Sequence, residues 1–108
     1  MKRYRVVFTA DARKDYKREV RRWRRTHPKN TYRLENEVAR AIKLLGATPR
    51  AGEECADPDL PDVRRVVLQK SEFLLYYSVS DEVRRVELLS LWYAPRGDRP
   101  KLFVIRSR

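Results

Sequence analysis

Residues 88–102, LLSLWYAPRGDRPKL, gather the side chains best suited to hold another molecule. Trp92 and Tyr93 end an apolar run and carry flat faces that stack. Pro95-Arg96-Gly97-Asp98-Arg99-Pro100 follows them. Pro95 and Gly97 fix a turn there, so Arg96 is presented with less loop entropy to lose. The plainer alternative is that Trp92 is core and the turn merely solvated. Arg64 and Arg65 form a second cationic pair at the start of a strand, where alternation sends them to opposite faces. An arginine on an exposed sheet face can grip a phosphate with both arms of its fork. It can equally neutralise the acidic loop beside it, which proximity favours.

Other chemistries are set aside by composition. One His and one Cys cannot build a His/Cys metal cluster, and no metal or cofactor is expected. There is no Gly-rich phosphate loop and no G-x-S-x-G elbow. The acids Glu53, Glu54, Asp57, Asp59 and Asp62 lack the spacing of a calcium loop and read as a solvated loop. His27 precedes Pro28 and reads as a helix-end residue near the C-terminal dipole. The net charge of +11 calls for an anionic partner, which nucleic acid, a ribosome, an acidic protein or a membrane surface would satisfy. No apolar run reaches the length of a membrane span, and the start MKRYRVVFTADARKD lacks the apolar segment of a secretory signal. Cys55 cannot form an internal disulfide, so a cytoplasmic chain is expected.

The elements that must position these groups can be read in order. The 108 residues suit one domain spanning 1–108. Residues 4–9, YRVVFT, read as a strand. Thr9 offers an N-cap and Asp11 an acid for the first helical turn. Ala12, Tyr16, Val20 and Trp23 then share one helical face, and Pro28 ends the helix. Between Arg13 and Arg25 basic residues outnumber acids eight to two. That basic back is either a solvated face or a footprint for a large anion. Leu34, Val38, Ala41, Ile42 and Leu45 repeat the helical spacing, and Gly46 is the predicted C-cap. A link this short predicts an antiparallel helical hairpin.

Residues 47–62 read as loop, and strands follow at 63–69, 73–79 and 84–94, joined by hairpins. In the last strand Val86, Leu88, Ser90 and Trp92 should share one face, and Glu87, Leu89, Leu91 and Tyr93 the other. The tail LFVIR, 102–106, is either an edge strand or core packing. The fold expected is α+β: an N-terminal strand, an α-helical hairpin and a three-stranded antiparallel meander, βααβββ, with the helices on a largely antiparallel sheet.

In this order the pieces VVFTADARKDY, LLGATPRAGE, VRRVVLQKSEFLLYYSV and ELLSLWYAPRGDRPKL resemble the RelE/ParE superfamily of bacterial toxins, from type II toxin–antitoxin systems. The resemblance spans nearly the whole chain. It implies that the last core strand delivers functional side chains to the rim of the sheet. Target-binding residues would then be Trp92, Tyr93, Arg96, Arg99 and Arg65. RelE-type members cleave mRNA in the ribosomal A site, whereas ParE-type members poison DNA gyrase. A ribonuclease here would rest on Arg65, Tyr93 and Arg96. Yet Val67 and Leu74 stand where the ribonuclease pattern has basic residues, and no Tyr or His lies beyond Tyr93. RNA cleavage needs groups that move protons, and only Tyr93, Glu72 and Glu87 qualify. These departures favour ParE-like inhibition of gyrase over a ribosome-dependent endoribonuclease, with a non-toxic basic binding module as a third reading. The resemblance also implies a cognate antitoxin with a disordered acidic segment, suited to the basic charge. Its expected contacts are Tyr16, Val20, Trp23 and Val38.

Overall fold

The computed structural model describes residues 3–55, 62–96 and 102. The chain starts with strand β1, Arg5–Phe8, and turns at once into helix α1, Ala10–Thr26. Thr9 makes the turn as predicted. Its hydroxyl accepts from the Ala12 N–H at 3.2 Å and donates to the Leu88 carbonyl at 2.8 Å. One side chain therefore caps the helix and ties its start to the sheet. Ala12, Val20 and Trp23 are buried on the inner stripe, and Tyr16 packs partly buried against Phe8. The helix stops at His27, whose N–H reaches the Trp23 carbonyl at 2.8 Å. A short 3-10 turn, Pro28–Asn30, leads on. The Trp23 indole N–H donates to the Asn30 carbonyl at 2.8 Å, locking the helix end onto that turn.

Helix α2, Arg33–Ala47, buries Leu34, Val38, Ala41 and Leu45. Its end corrects the predicted cap. Gly46 lies inside the helix, and Thr48 is the cap, its N–H bonded to the Leu44 carbonyl at 2.7 Å. Glycine stands at 46 because the chain before β1 passes over it. The Tyr4 N–H donates to the Gly46 carbonyl at 2.8 Å. A Cβ there would lie 3.3 Å from the Tyr4 carbonyl oxygen and 2.8 Å from the Arg3 guanidinium.

The remaining strands are β2, Glu53–Glu54, β3, Val63–Leu68, β4, Phe73–Ser80, and β5, Arg85–Tyr93. They form a five-stranded sheet in the order β1-β5-β4-β3-β2. The predicted meander β3-β4-β5 is present, but the sheet is mixed, because β1 lies parallel to β5 with Val6 beside Val86 and Phe8 beside Leu88. β2 was expected to be loop. It pairs with β3 through Glu53 opposite Arg65 and Glu54 opposite Arg64. An ion pair joins Glu53 to Arg65 at 2.7 Å, and the two-residue strand has no apolar alternation for a pattern reading to find. The helices cover one face of the sheet, over Leu75, Tyr77, Val86 and Leu88. The other face carries a smaller cluster of Val63, Tyr76 and Leu89, against which Leu74, Trp92 and Leu102 pack. Leu102 is the one tail residue described; 103–106 lie outside the described residues.

A β-bulge changes the faces of β5. Tyr76 pairs with Ser90 but Tyr77 pairs with Leu88, so Leu89 is an extra residue. One inserted residue flips every side chain beyond it. Leu91 and Tyr93 therefore join Val86 and Leu88 on the helix side, while Leu89 and Trp92 stand on the open side. The predicted face partition holds up to Leu89 and is inverted for Leu91, Trp92 and Tyr93.

The β4–β5 turn is fastened to the start of the chain. Asp81 accepts from the Tyr4 hydroxyl and from both Nη atoms of Arg50, at 3.0 and 2.9 Å. Arg50 first, and then Tyr4, hold the Asp81 carboxyl below its ordinary value. A carboxyl depressed in the folded state stabilises fully above the ordinary carboxylate range, and that contribution is lost as pH falls through the depressed value. Asp81→Asn should therefore lower the melting temperature at neutral pH, with the difference from wild type closing in strong acid. Thermal unfolding across a pH series measures this; a gap that stays constant with pH would contradict it.

Candidate functional site

The residues expected to act together at the β5 exit are divided by the sheet. Arg65 sits on β3 opposite Tyr76, on the open face. Tyr93 ends β5 opposite Phe73, three positions from Tyr76 along β4, and so lies on the helix side. Its ring is 5.3 Å from that of Phe73, which in turn meets Trp23 edge-on at 6.4 Å. The trio of Arg65, Tyr93 and Arg96 is therefore not assembled around one point, because the bulge at Leu89 turns Tyr93 away. Of Arg96, the described part is its backbone in the 3-10 turn Ala94–Arg96. Arg99 lies outside the described residues.

On the open face Arg65 is already engaged. Its Nε and Nη2 donate to one Glu53 oxygen at 3.0 and 2.7 Å. Hydrogen bonds to Tyr76 and then Glu53 raise its pKa further above the arginine value. The ion pair to the acidic segment is thus one of the two uses read for this arginine. Arg64 points the other way, its Nη1 donating to the Gly52 carbonyl at 3.0 Å. Around Arg65 the face is apolar: Val67 is 54% exposed, and Leu74 and Trp92 flank Tyr76. Farther along, Arg85 and Glu87 pair at 3.5 Å. This surface offers flat aromatic and aliphatic contact with a neutralised guanidinium at its edge. It suits binding better than proton transfer.

On the helix side Tyr93 lines a cleft of about 310 Å³ between the end of α1 and the β3–β4 turn. His27, Arg22, Arg33 and Lys70 also line it. The His27 ring lies flat on Trp23, centroids 3.6 Å apart and planes 6° from parallel. Thr26 Oγ1 sits 2.9 Å from His27 Nδ1. Sequence reading treated His27 as a helix end and missed this grouping. The four-residue step from Trp23 to His27, one helical turn, was the signal that could have found it.

The residues expected to meet an antitoxin are mostly buried within the chain itself. Val38 is 1% exposed, Trp23 6% and Val20 9%, because the stripe that marks them as apolar is the stripe that packs on the sheet. Tyr16 is partly buried and, with Val20, lines an outer groove between the helices beside Lys17, Arg21 and Arg25. Among the described residues no cluster of His, Cys, Asp and Glu could hold a metal ion. No helix among them is long and apolar enough to cross a membrane.

Residues 6–96 match the family model of the ParE toxin of the type II toxin–antitoxin system parDE. No curated protein matches the chain in sequence. The fold is similar to a chain of a chromosomal ParDE toxin–antitoxin system from P. aeruginosa, with TM-score 0.66 and 15% identity over 83% of this chain and 95% of that one. It is also similar to a YoeB/ParE toxin from Agrobacterium tumefaciens, with TM-score 0.59 and 21% identity over 82% and 96% of the two chains. For a double mutant of the E. coli toxin RelE in the free state the TM-score is 0.56, with 20% identity over 88% of this chain and 87% of that one.

Proposed function

The chain belongs to the ParE toxin family of type II toxin–antitoxin systems, and we propose that it acts by binding and inhibiting DNA gyrase rather than by cutting RNA. The observation that carries this reading is the separation of Arg65 and Tyr93 onto opposite faces of the sheet, with Arg65 tied to Glu53. Cleavage of RNA needs a base, an acid and charge stabilisation around one phosphate. A binding inhibitor needs only surface. The exit of β5 supplies it, with Trp92 on one side, Tyr93 on the other and Arg96 directly after.

In this reading a cognate antitoxin neutralises the toxin, as the ParDE system among the similar structures pairs toxin with antitoxin. Its acidic segment lies in the groove lined by Tyr16, Lys17 and Arg21, where charge complementarity speeds association. The cytoplasm, where gyrase acts, is the compartment this requires.

The test is a short induction of the chain alone in a bacterial host, with labelled thymidine and labelled amino acids followed side by side. DNA synthesis should fail first, and Tyr93→Ala combined with Arg96→Ala should restore growth. Earlier failure of protein synthesis, with cut mRNA, would replace this reading with the ribonuclease.

A further inference from the structure

The cleft on the helix side combines two kinds of contact that the gyrase reading does not use together. One is a stacking surface. His27 is exposed and rests face to face on the buried Trp23, and Tyr93 is 36% exposed. The other is charge. Arg22, Arg33 and Lys70 line the same space. Arg22 stands 4.0 Å from its nearest acid, Glu19, and Arg33 donates to the neutral Asn30 Oδ1 at 3.1 Å. The turn that carries Lys70 is held still, since the Glu37 carboxylate accepts from the backbone N–H of Lys70 at 3.0 Å and of Ser71 at 2.8 Å. Two acids also line the cleft. Glu19 is buried and accepts from Arg18 Nε at 3.1 Å, whereas Glu72 is exposed at the turn.

Three cations would hold any anion, but only some anions also use a flat ring. An acidic peptide brings carboxylates and leaves the imidazole and phenol faces without a partner. A nucleotide brings a base to stack on the aromatic faces and a phosphate for the guanidinium and ammonium groups. Glu72 adds an acceptor that an exocyclic amine can use. A cleft of about 310 Å³ is at the small end of the range for ligand pockets, which suits a single nucleotide. We propose that this cleft between α1 and the β3–β4 turn binds one nucleotide, either free or as a unit of a single strand, with its base against His27 and Tyr93 and its phosphate between Arg22 and Lys70.

The sequence has two tryptophans, so Trp92→Phe leaves Trp23 as the sole indole reporter beneath the stack. That variant is titrated with adenosine monophosphate, with tetradeoxyadenylate, with inorganic phosphate and with a poly-glutamate peptide. Saturable quenching by the two adenylates is expected, with no quenching by inorganic phosphate or poly-glutamate. A free nucleotide as ligand makes the two adenylates equal; a strand makes the tetranucleotide tighter. Arg22→Gln with Lys70→Gln should weaken binding about tenfold or more. Arg13→Gln with Lys14→Gln removes the same charge elsewhere on α1 and should leave affinity unchanged. Absence of quenching by either adenylate would overturn the proposal. So would equal weakening by the two double variants, or poly-glutamate binding as tightly as the nucleotides.

Discussion

Replacing Gly52 with alanine should lower folding stability by about 3 kcal/mol, the upper end for an overpacked interior. Gly52 is buried where the chain enters β2. A Cβ added there would stand 2.5 Å from the Tyr77 hydroxyl, 2.6 Å from the Arg65 carbonyl oxygen and 2.8 Å from a Tyr77 ring carbon. None of these can move aside easily. Tyr77 is fully buried among the core side chains, and the Arg65 carbonyl belongs to the backbone of β3. The clash also breaks a bond, since the Gly52 N–H donates to the Tyr77 hydroxyl at 2.8 Å. Tyr77→Phe removes that bond without adding bulk and should cost less, about 1–2 kcal/mol for a buried N–H left without its partner. Urea denaturation of both variants measures the difference. An alanine variant as stable as wild type would mean that β2 does not lie where the structure has it.

Asp15→Ala should cost about 2–3 kcal/mol and loosen the exit of β5. Asp15 reaches from α1 to the sheet just past the bulge. Its Oδ2 accepts from the Ser90 hydroxyl at 3.0 Å and from the Leu91 N–H at 3.2 Å, and its Oδ1 accepts from Arg18 at 3.0 Å. Leu91 is 3% exposed, so its N–H has no ready access to water once the carboxylate is gone. A bulge leaves ladder groups unpaired, and here a helix side chain satisfies one of them. The consequence reaches function, because the bulge decides that Trp92 faces the open side and Tyr93 the helix side. Asp15→Asn keeps an oxygen acceptor and should retain much of the stability. Denaturation of the two variants, with amide exchange at Leu91, checks this. An alanine variant with unchanged stability and unchanged exchange would contradict it.

The legible parts of the fold were those with local chemistry. Thr9 and Asp11 marked the start of α1 through capping and the dipole. Ala12, Val20 and Trp23 marked its inner face by spacing, and the hairpin strands by short polar turns. What sequence did not show depended on contacts made at long range. Gly46 has the residue type of a cap, but it serves a close approach by the segment before β1 that only the tertiary arrangement reveals. β2 is a two-residue strand whose pairing with β3 is joined by one ion pair, Glu53 with Arg65, between residues far apart in sequence. The bulge at Leu89 carries no residue signature, since leucine fits a strand and a bulge alike, yet it moved Tyr93 to the other face and dissolved the expected trio. For the site, Trp92 and Tyr93 were read onto opposite faces of β5, and they do lie on opposite faces, but the bulge exchanges which of them shares the side of Val86 and Leu88. The stripe of Val20, Trp23 and Val38 was apolar for the sheet, so it left little for a partner.

The central claim is that the chain binds and inhibits gyrase without cutting RNA. Its most direct test puts purified toxin into two reactions: gyrase supercoiling of a relaxed plasmid, and mRNA on programmed ribosomes. Gyrase inhibition with intact mRNA, relieved by Tyr93→Ala together with Arg96→Ala, is the result predicted. Undisturbed supercoiling with mRNA cut on the ribosome would contradict it.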